Sequence, residues 1–406
     1  MIIRARVVVP MEGEPIENGA VTVEGNRIAS VGRFEDLRAD HGADVLDLGE
    51  RILLPGLING HCHLDYTMLR GKIPPQNSFN DWIWAINAHK KDLEEEDYLG
   101  AITAGFAETE RFGTTTIVNL EAFPELVPRL ERPQLRTWWC GEMIDIRRPV
   151  SVREVSDNLR GWFESHPDWL GGMGLCPHAP FTASVQLYAE AGATARTHDL
   201  LLTTHLAESR EEMQMFCDAN GPLFDFLQSI GRPMDDCGNE TPLSLLLRRQ
   251  LIDQRWIVAH LNELSESDFE LLSQTEKFHI AHCPRSHTFL GHAPFALNKL
   301  RALGFNICLG TDSLASNSSL SLFSEMRELL RKEPGISSRE VLEMATINGA
   351  RSLGQGDSLG KIRPGFSADL IAISCEQSEK DAFDAIVAFE ATVPWMMVNG
   401  EVLSPS

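Results

Sequence analysis

The sequence predicts an α/β protein: a (β/α)8 TIM-type barrel over residues 55–357, carrying a small composite β-sandwich built from residues 1–54 and 358–406. Three observations lead there. Eight apolar, strand-like runs alternate with longer helical patterns through the middle of the chain, the texture of repeated βα units around a parallel sheet. Both ends of the chain read instead as short strands joined by turns. Polar residues, histidines above all, gather where the eight runs finish, and in a barrel all eight ends share one face.

Taken in order, residues 1–54 alternate apolar and polar positions in IIRARVVVP, AVTVEGNRIASVG and DVLDLGERILL, with Glu24-Gly25-Asn26 as a turn. The first barrel run, LLPGLING, follows at once and leads into His61 and His63. The other seven are TTTIVNL (114–120), LRTWWCGEMI (135–144), GGMGLC (171–176), LLTTHL (201–206), RWIVAHL (255–261), KFHIAHC (277–283) and FNICLGTD (305–312). Helical patterning fills 79–112, 151–165 and 319–332. The chain then returns to β texture in SLGKIRPGFSADLIAIS and VPWMMVNGEVL, where Asn399-Gly400 marks a turn, and the two ends are expected to pair with each other.

Composition narrows the function classes. A length of 406 residues suits one large barrel with an accessory domain. The net charge of −22, with no basic stripe, argues against nucleic acid or an anionic membrane as partner. The acidic run Glu94 to Asp97 reads as a solvated helix face. Eight cysteines (62, 140, 176, 217, 237, 283, 308, 375) are scattered without a CxxC pair, and no leader pattern opens the chain, so a reducing cytoplasm is expected. No stretch approaches the ~18 apolar residues of a membrane span. The expected partner is a small-molecule substrate, with a homo-oligomer left open.

The chemistry lies at the ends of the runs. His61 and His63 are spaced i, i+2, which in a strand turns both imidazoles to one side, where they can share an ion. With 13 histidines in the chain the pair alone says little. It has company: His205 and Glu208, His260, His282 and Arg285, His178, Asn119, Glu121, Glu142 and Asp312 all fall at other run ends. His61, His63, His205 and Asp312 are assigned as ligands, since three neutral imidazoles and a carboxylate suit a divalent ion such as zinc, with iron as the alternative. Such an ion lowers the pKa of a bound water towards ~7. Glu208, three residues past His205, can reach the cavity without holding the metal, which fits a proton shuttle. His260 is placed to hydrogen-bond the water or the charge that develops.

The stretches PGLINGHCHLD, HLAES (205–209), VAHL (258–261) and GTDSLASNSSLSLFSEM (310–326) resemble the metal-dependent amidohydrolase superfamily. They are most similar to its cytosine-deaminase-like branch, which holds adenosylhomocysteine, guanine and aminodeoxyfutalosine deaminases and triazine hydrolases. The resemblance covers nearly the whole chain and includes the β-rich ends, GKIRPGFSADL among them. It implies the same four ligands, Glu208 as acid and base, and His260 as the strand-6 histidine. CPHAPF resembles the strand-4 substrate histidine motif of nucleoside deaminases, which makes His178 a candidate contact.

Departures from the family pattern are informative too. No lysine occurs in residues 172–181, where two-metal members carry a bridging one, so a single metal is expected. HCPRSH stands where adenosylhomocysteine-type members have Asn-Pro-x-Ser-Asn, and residues 82–92 lack their ribose-binding glutamate. HLDYTMLRGKIPPQNSFNDWI instead resembles the aminodeoxyfutalosine-deaminase-like members.

The expected activity is hydrolytic deamination of an aminated heteroaromatic ring of adenine-nucleoside type, with aminodeoxyfutalosine as the best single substrate. Asp312 would accept the attacking water's proton, Glu208 would protonate the ring nitrogen, and ammonia would leave. The alternatives are a hydrolase of a cyclic amide or a chloro-substituted ring and, more remotely, a non-catalytic scaffold. Beyond His178, the expected substrate contacts are Trp82, Arg148 and Arg285. Arg285, with Arg147 and Arg148, is read as a clamp for an anionic tail. The competing reading pairs these arginines with local acids such as Asp145 or Glu154.

Overall fold

The computed structural model describes residues 1–40, 44–374 and 382–403. Cys375 lies outside them, and the seven described cysteines are free thiols.

The N-terminal strands are β1 (Ile2–Val8), β2 (Ile16–Glu24), β3 (Arg27–Arg33), β4 (Val45–Asp47) and β5 (Arg51–Pro55). One glycine after β5, the chain enters the barrel: β6 (Leu57–His63), β7 (Thr114–Glu121), β8 (Arg136–Met143), β9 (Gly171–Pro177), β10 (Leu201–Leu206), β11 (Trp256–His260), β12 (His279–His282), β13 (Asn306–Leu309) and β14 (Asp312–Ser313). Strands β15 (Leu370–Ser374), β16 (Trp395–Val398) and β17 (Glu401–Leu403) finish the described chain.

The two ends meet in one mixed sheet of eight strands, ordered β17-β16-β15-β5-β1-β2-β3 with β4 on β1. Strand alternation divides its side chains between two cores. Leu53, Leu370 and Ala372 pack with Ile3, Val8, Val21 and Met397 in a core of the sheet's own. Ile52, Leu54, Ile371 and Ile373 belong instead to the large core shared with the barrel. At the boundary, Arg136 at the start of β8 forms an ion pair with buried Asp369 beside β15.

Strands β6 to β13 follow one another in order, every pair parallel. The eighth run is divided: β13 pairs with β12, and after Gly310-Thr311 the same segment continues as β14, which pairs with β6 through Asp312–Cys62 and Ser313–His63. That shift of partner closes the barrel, and it explains nine strands where eight runs were counted. Glycine is needed at this seam. A Cβ on Gly60 would lie 2.5 Å from Cys308 Sγ, and one on Gly310 would lie 2.7 Å from the His61 carbonyl oxygen.

The helical stretch expected over 79–112 is two helices, Phe79–Lys90 and Glu95–Arg111. Ser78 caps the first and the Glu94/Asp97 capping box opens the second, so the break sits where cap chemistry competes with helix continuation. The other two begin later than their patterning, at Val152 and Leu322. Among the described residues no helix is long and apolar enough to cross a membrane.

Candidate active site

The C-terminal ends of the strands open into a cavity of about 630 Å³, reached by His63, His178, His205, Glu208, His260 and Asp312. The i, i+2 histidines of β6 turn to one side: His61 Nε2 and His63 Nε2 lie 3.8 and 3.9 Å from Asp312 Oδ1. His63 Nε2 is 3.1 Å from His205 Nε2. His205 Nδ1 lies 2.7 Å from the His178 carbonyl, to which it donates, and this leaves Nε2 with a lone pair directed at its neighbours.

Two of these residues, and one that follows His205, have unusual backbone. His260 (φ 72°) and Asp312 (φ 56°) are left-handed, as is Ala207 (φ 49°) just after His205. Each such non-glycine residue costs about 1–3 kcal/mol and persists because its surroundings over-determine it. The HLAES turn shows how. Glu212 accepts from the Ala207 and Glu208 amides at 3.1 and 2.8 Å, while Ser209 caps the helix Arg210–Asp218. Asp312 Oδ2 accepts from Ser286 Oγ at 2.6 Å and Ser316 Oγ at 3.1 Å, and Oδ1 accepts from the Ser313 amide at 2.7 Å.

The electrostatics follow from burial and from these neighbours. Burial holds the imidazoles neutral: His61, His63 and His260 fall well below the usual range, His205 to about 4 and His178 to about 3. For Asp312 burial pushes upward, but His260, His61 and His63 together with the Ser286 hydroxyl hold the carboxyl well below its ordinary value. Glu208 goes the other way. Burial, reinforced by the Asp312 charge, raises it well above the usual carboxylate range. Its Oε1 stands 3.8 Å from His260 Nε2 and 3.9 Å from His292 Nε2.

The residues fit a divalent ion. His61 Nε2, which faces Asp312, is buried with no hydrogen-bond partner among the described residues, a cost that ligation of an ion removes. Ligand atoms of His61, His63 and Asp312 lie within 4.8 Å of one another, as do those of His61, His205 and His260.

Of the expected substrate contacts, His178 and Trp82 line the cavity. His178 Nδ1 is 2.6 Å from Thr182 Oγ1, and Trp82 Nε1 donates to the Ala315 carbonyl at 3.3 Å. The two arginines do not line it. Arg148 is exposed outside the cavity, and its neighbour Arg147 is the one that reaches the wall. Arg285 follows Pro284 on the first turn of the helix Pro284–Leu290 and is absent from the cavity lining. Its amide donates to buried Glu325 at 2.9 Å and its guanidinium to Ser318. Nor does Asp145 pair with an arginine: it accepts from Ser184 N and Oγ at 2.8 and 2.5 Å.

Several cavity residues gave no signal at a strand end. Tyr66, Phe79, Trp84, Lys90, Phe226 and Ile230 come from segments inserted between strands and the barrel's outer helices. Trp84 stands over Phe226 at 4.7 Å across the mouth, and Lys90 Nζ donates to Tyr66 Oη at 2.6 Å. A period-3.6 pattern in 79–90 (Phe79, Trp82, Ile83, Ile86, Lys90) is the trace they leave in sequence.

The amidohydrolase family model matches residues 52–403. The chain belongs to the amidohydrolase family. It is a hydrolase of carbon–nitrogen bonds. It is 29% identical to a 5-methylthioadenosine/S-adenosylhomocysteine deaminase of Pyrococcus furiosus, over 99% of this chain and 94% of that one. It is 31% identical to a protein of the same name from Syntrophobacter fumaroxidans, over 89% and 81%. Among solved structures it is similar to the Helicobacter pylori aminofutalosine deaminase in complex with methylthio-coformycin, with a TM-score of 0.88, 20% identity and 99% of each chain covered. At that identity the likeness speaks for the fold.

Proposed function

We propose that this amidohydrolase deaminates an adenine nucleoside whose 5′ side carries an extended substituent, and that the substituent is an aromatic acid, as in aminodeoxyfutalosine. The deaminase relatives support the adenine-nucleoside class. The finer reading rests on the far half of the cavity. Its wall there is apolar and aromatic, with Trp84, Phe226, Ile144, Ile146 and Ile230, and its edge is cationic, with Lys91 and Arg147. Trp84 and Ile144 are 52% and 42% exposed, an apolar rim that needs a cover. The acids on the lining are Glu142, Glu208 and Asp312, so among the described residues the rim offers no carboxylate to an ammonium group. An aryl carboxylate matches such a rim, and a zwitterionic amino-acid tail matches it less well.

His61, His63, His205 and Asp312 would hold one divalent ion, zinc by preference and iron as the alternative. When bound, the ion supplies a water that is activated at neutral pH. Asp312, ionised among its histidines and serines, accepts the proton of the attacking water. Glu208, held protonated by its burial, gives its proton to the ring nitrogen beside the reacting carbon. Neutral His260, 3.8 Å from Glu208, donates to the oxygen as charge develops. The proton that Asp312 took then goes to the amine, which leaves as ammonia, and the proton remaining on the attacking oxygen returns to Glu208 as the carbonyl forms.

The test is ammonia release by the metal-loaded protein from adenosine, methylthioadenosine, adenosylhomocysteine and aminodeoxyfutalosine. All four should react, with kcat/KM highest for the aromatic acid. A preference for adenosylhomocysteine would overturn the aromatic-acid reading alone, and no ammonia from any adenine nucleoside would overturn the class. Metal analysis finding two ions per active chain would remove the single-ion reading.

A further inference from the structure

One cavity carboxylate has no part in the chemistry above. Glu142, near the end of β8, lines the cavity. His178 Nε2, a neutral imidazole nitrogen, lies 3.9 Å from Glu142 Oε1, too far for a hydrogen bond, and among the described residues the Glu142 side chain accepts none. Two neighbouring acids behave differently. Glu121 accepts from Asn119 Nδ2 at 3.2 Å and the Phe123 amide at 3.3 Å, Asp65 accepts from the Ala122 amide at 3.4 Å, and neither lines the cavity. Glu142 is thus the acid of this group that is turned to the ligand space and left without a partner. Keeping a carboxylate there costs free energy unless something hydrogen-bonds to it.

Its position says what. The His178 ring centroid is 4.7 Å from that of His205, and Glu142 Oε1 is 3.9 Å from His178 Nε2, so Glu142 stands beside the one ring of this group that is not among the proposed ligands. Lys90 and Asn87 reach the same space from the helix Phe79–Lys90. A carboxylate accepts two hydroxyl donors side by side, while an ammonium and an amide donate to hydroxyl oxygens. In a purine nucleoside the sugar is attached at the end of the ring system remote from the amino-bearing carbon. We infer that Glu142, with Lys90 and Asn87, forms a subsite for the vicinal diol of the substrate's ribose. This inference rests on the nucleoside reading above. Burial, partly offset by His205 and Lys90, raises the Glu142 carboxyl above its ordinary range, so its ionised form is the more dependent on donors brought by the ligand.

The experiment compares adenosine with 2′,3′-dideoxyadenosine on the wild-type metalloenzyme, on Glu142→Gln and on Glu142→Ala, with metal content and melting temperature measured for each. The wild type should favour adenosine in kcat/KM by on the order of 10- to 100-fold, the range of one or two charge-assisted hydrogen bonds. Both variants should lose more on adenosine than on the dideoxy compound, so that the preference shrinks to a few-fold. A wild type that turns over both compounds equally well would overturn the diol subsite while leaving the nucleoside reading intact, and this arm needs no variant to fold. Equal losses on both compounds in the variants would assign Glu142 to positioning His178 and also overturn it. A wild type that deaminates neither compound nor any other adenine nucleoside would remove the nucleoside reading and this inference with it.

Discussion

The two ends of the cavity are built by different rules. The deep end is made by strand termini: His61, His63, His205, His260 and Asp312 stand on four of the nine strands, at most 6% exposed, with neighbouring groups fixing the His205 ring and the Asp312 carboxyl. The mouth is made by the helices Phe79–Lys90 and Pro222–Ser229 and the segment 144–147, with Trp84, Ile144 and Arg147 open to solvent. A strand end set by backbone hydrogen bonds on both sides can hold a group to the tolerance that bond-making needs. A helix inserted between strands has fewer such ties and can vary in sequence without disturbing the barrel. The difference teaches that reaction and substrate choice are separable in this molecule, and substitutions at the two ends should show it.

The largest effect is expected at the deep end. His61→Ala removes a proposed ligand whose two ring nitrogens have no hydrogen-bond partner among the described residues, and it should lose bound ion and activity together. The loss should exceed the ~10–100-fold that follows removal of an outer partner. Metal content and ammonia release on the same preparation check this; full activity without the ion would break the comparison at its root. Next comes Glu208→Gln, which should keep the ion and lose on the order of 10²–10⁴ in turnover on every substrate alike. A variant that lost its ion would show that Glu208 belongs with the ligands.

At the mouth the effects should be smaller and selective. Arg147→Met should lower kcat/KM a few-fold for a carboxylated nucleoside, about 0.5–1 kcal/mol for a solvent-screened pair, and hardly alter adenosine. Arg285→Met should leave that ranking as it is, because Arg285 engages Ser318 and Glu325 outside the cavity. If Arg285→Met changed the ranking and Arg147→Met did not, the division between mouth and outer shell would be wrong.

The smallest effect concerns stability behind the deep end. Glu325 is fully buried, accepts from Asn317 Nδ2 at 2.7 Å and the Arg285 amide at 2.9 Å, and burial pushes its carboxyl up to about 8. Its unfolded carboxyl releases the proton near pH 4.5, so between there and about pH 8 the unfolded state holds fewer protons than the folded one. This group therefore lowers stability as pH rises through that window. Glu325→Gln should flatten the decline, seen as a urea midpoint that shifts less between pH 5.5 and 8 than that of the wild type.

What could be read in advance follows the same split. His61 and His63 were legible because period-2 geometry is local: the spacing alone turns both rings one way. The offset of Glu208 from His205 was enough to expect it at the cavity, which it lines. The arginines were misplaced because a short loop or a helix's first turn does not fix direction. One residue's difference puts Arg147 on the cavity wall and Arg148 off it, and the Arg285 guanidinium is engaged by Ser318 off the cavity wall. Glu142 was visible as a polar residue at a run's end, but nothing local said that it would lack the partners that Glu121 and Asp65 find.

The sequence by itself determined the repeated βα order, the pairing of the two chain ends, and the set of side chains at the strand termini, since each depends on period, length and turn chemistry within a few residues. Only the tertiary structure decided that the eighth strand changes partners at Gly310, that His63 and His205 meet across the barrel at 3.1 Å, and that the helix Phe79–Lys90 folds over the mouth. These are contacts between residues tens to hundreds of positions apart, and their geometry is set by barrel closure and packing, which no local window contains.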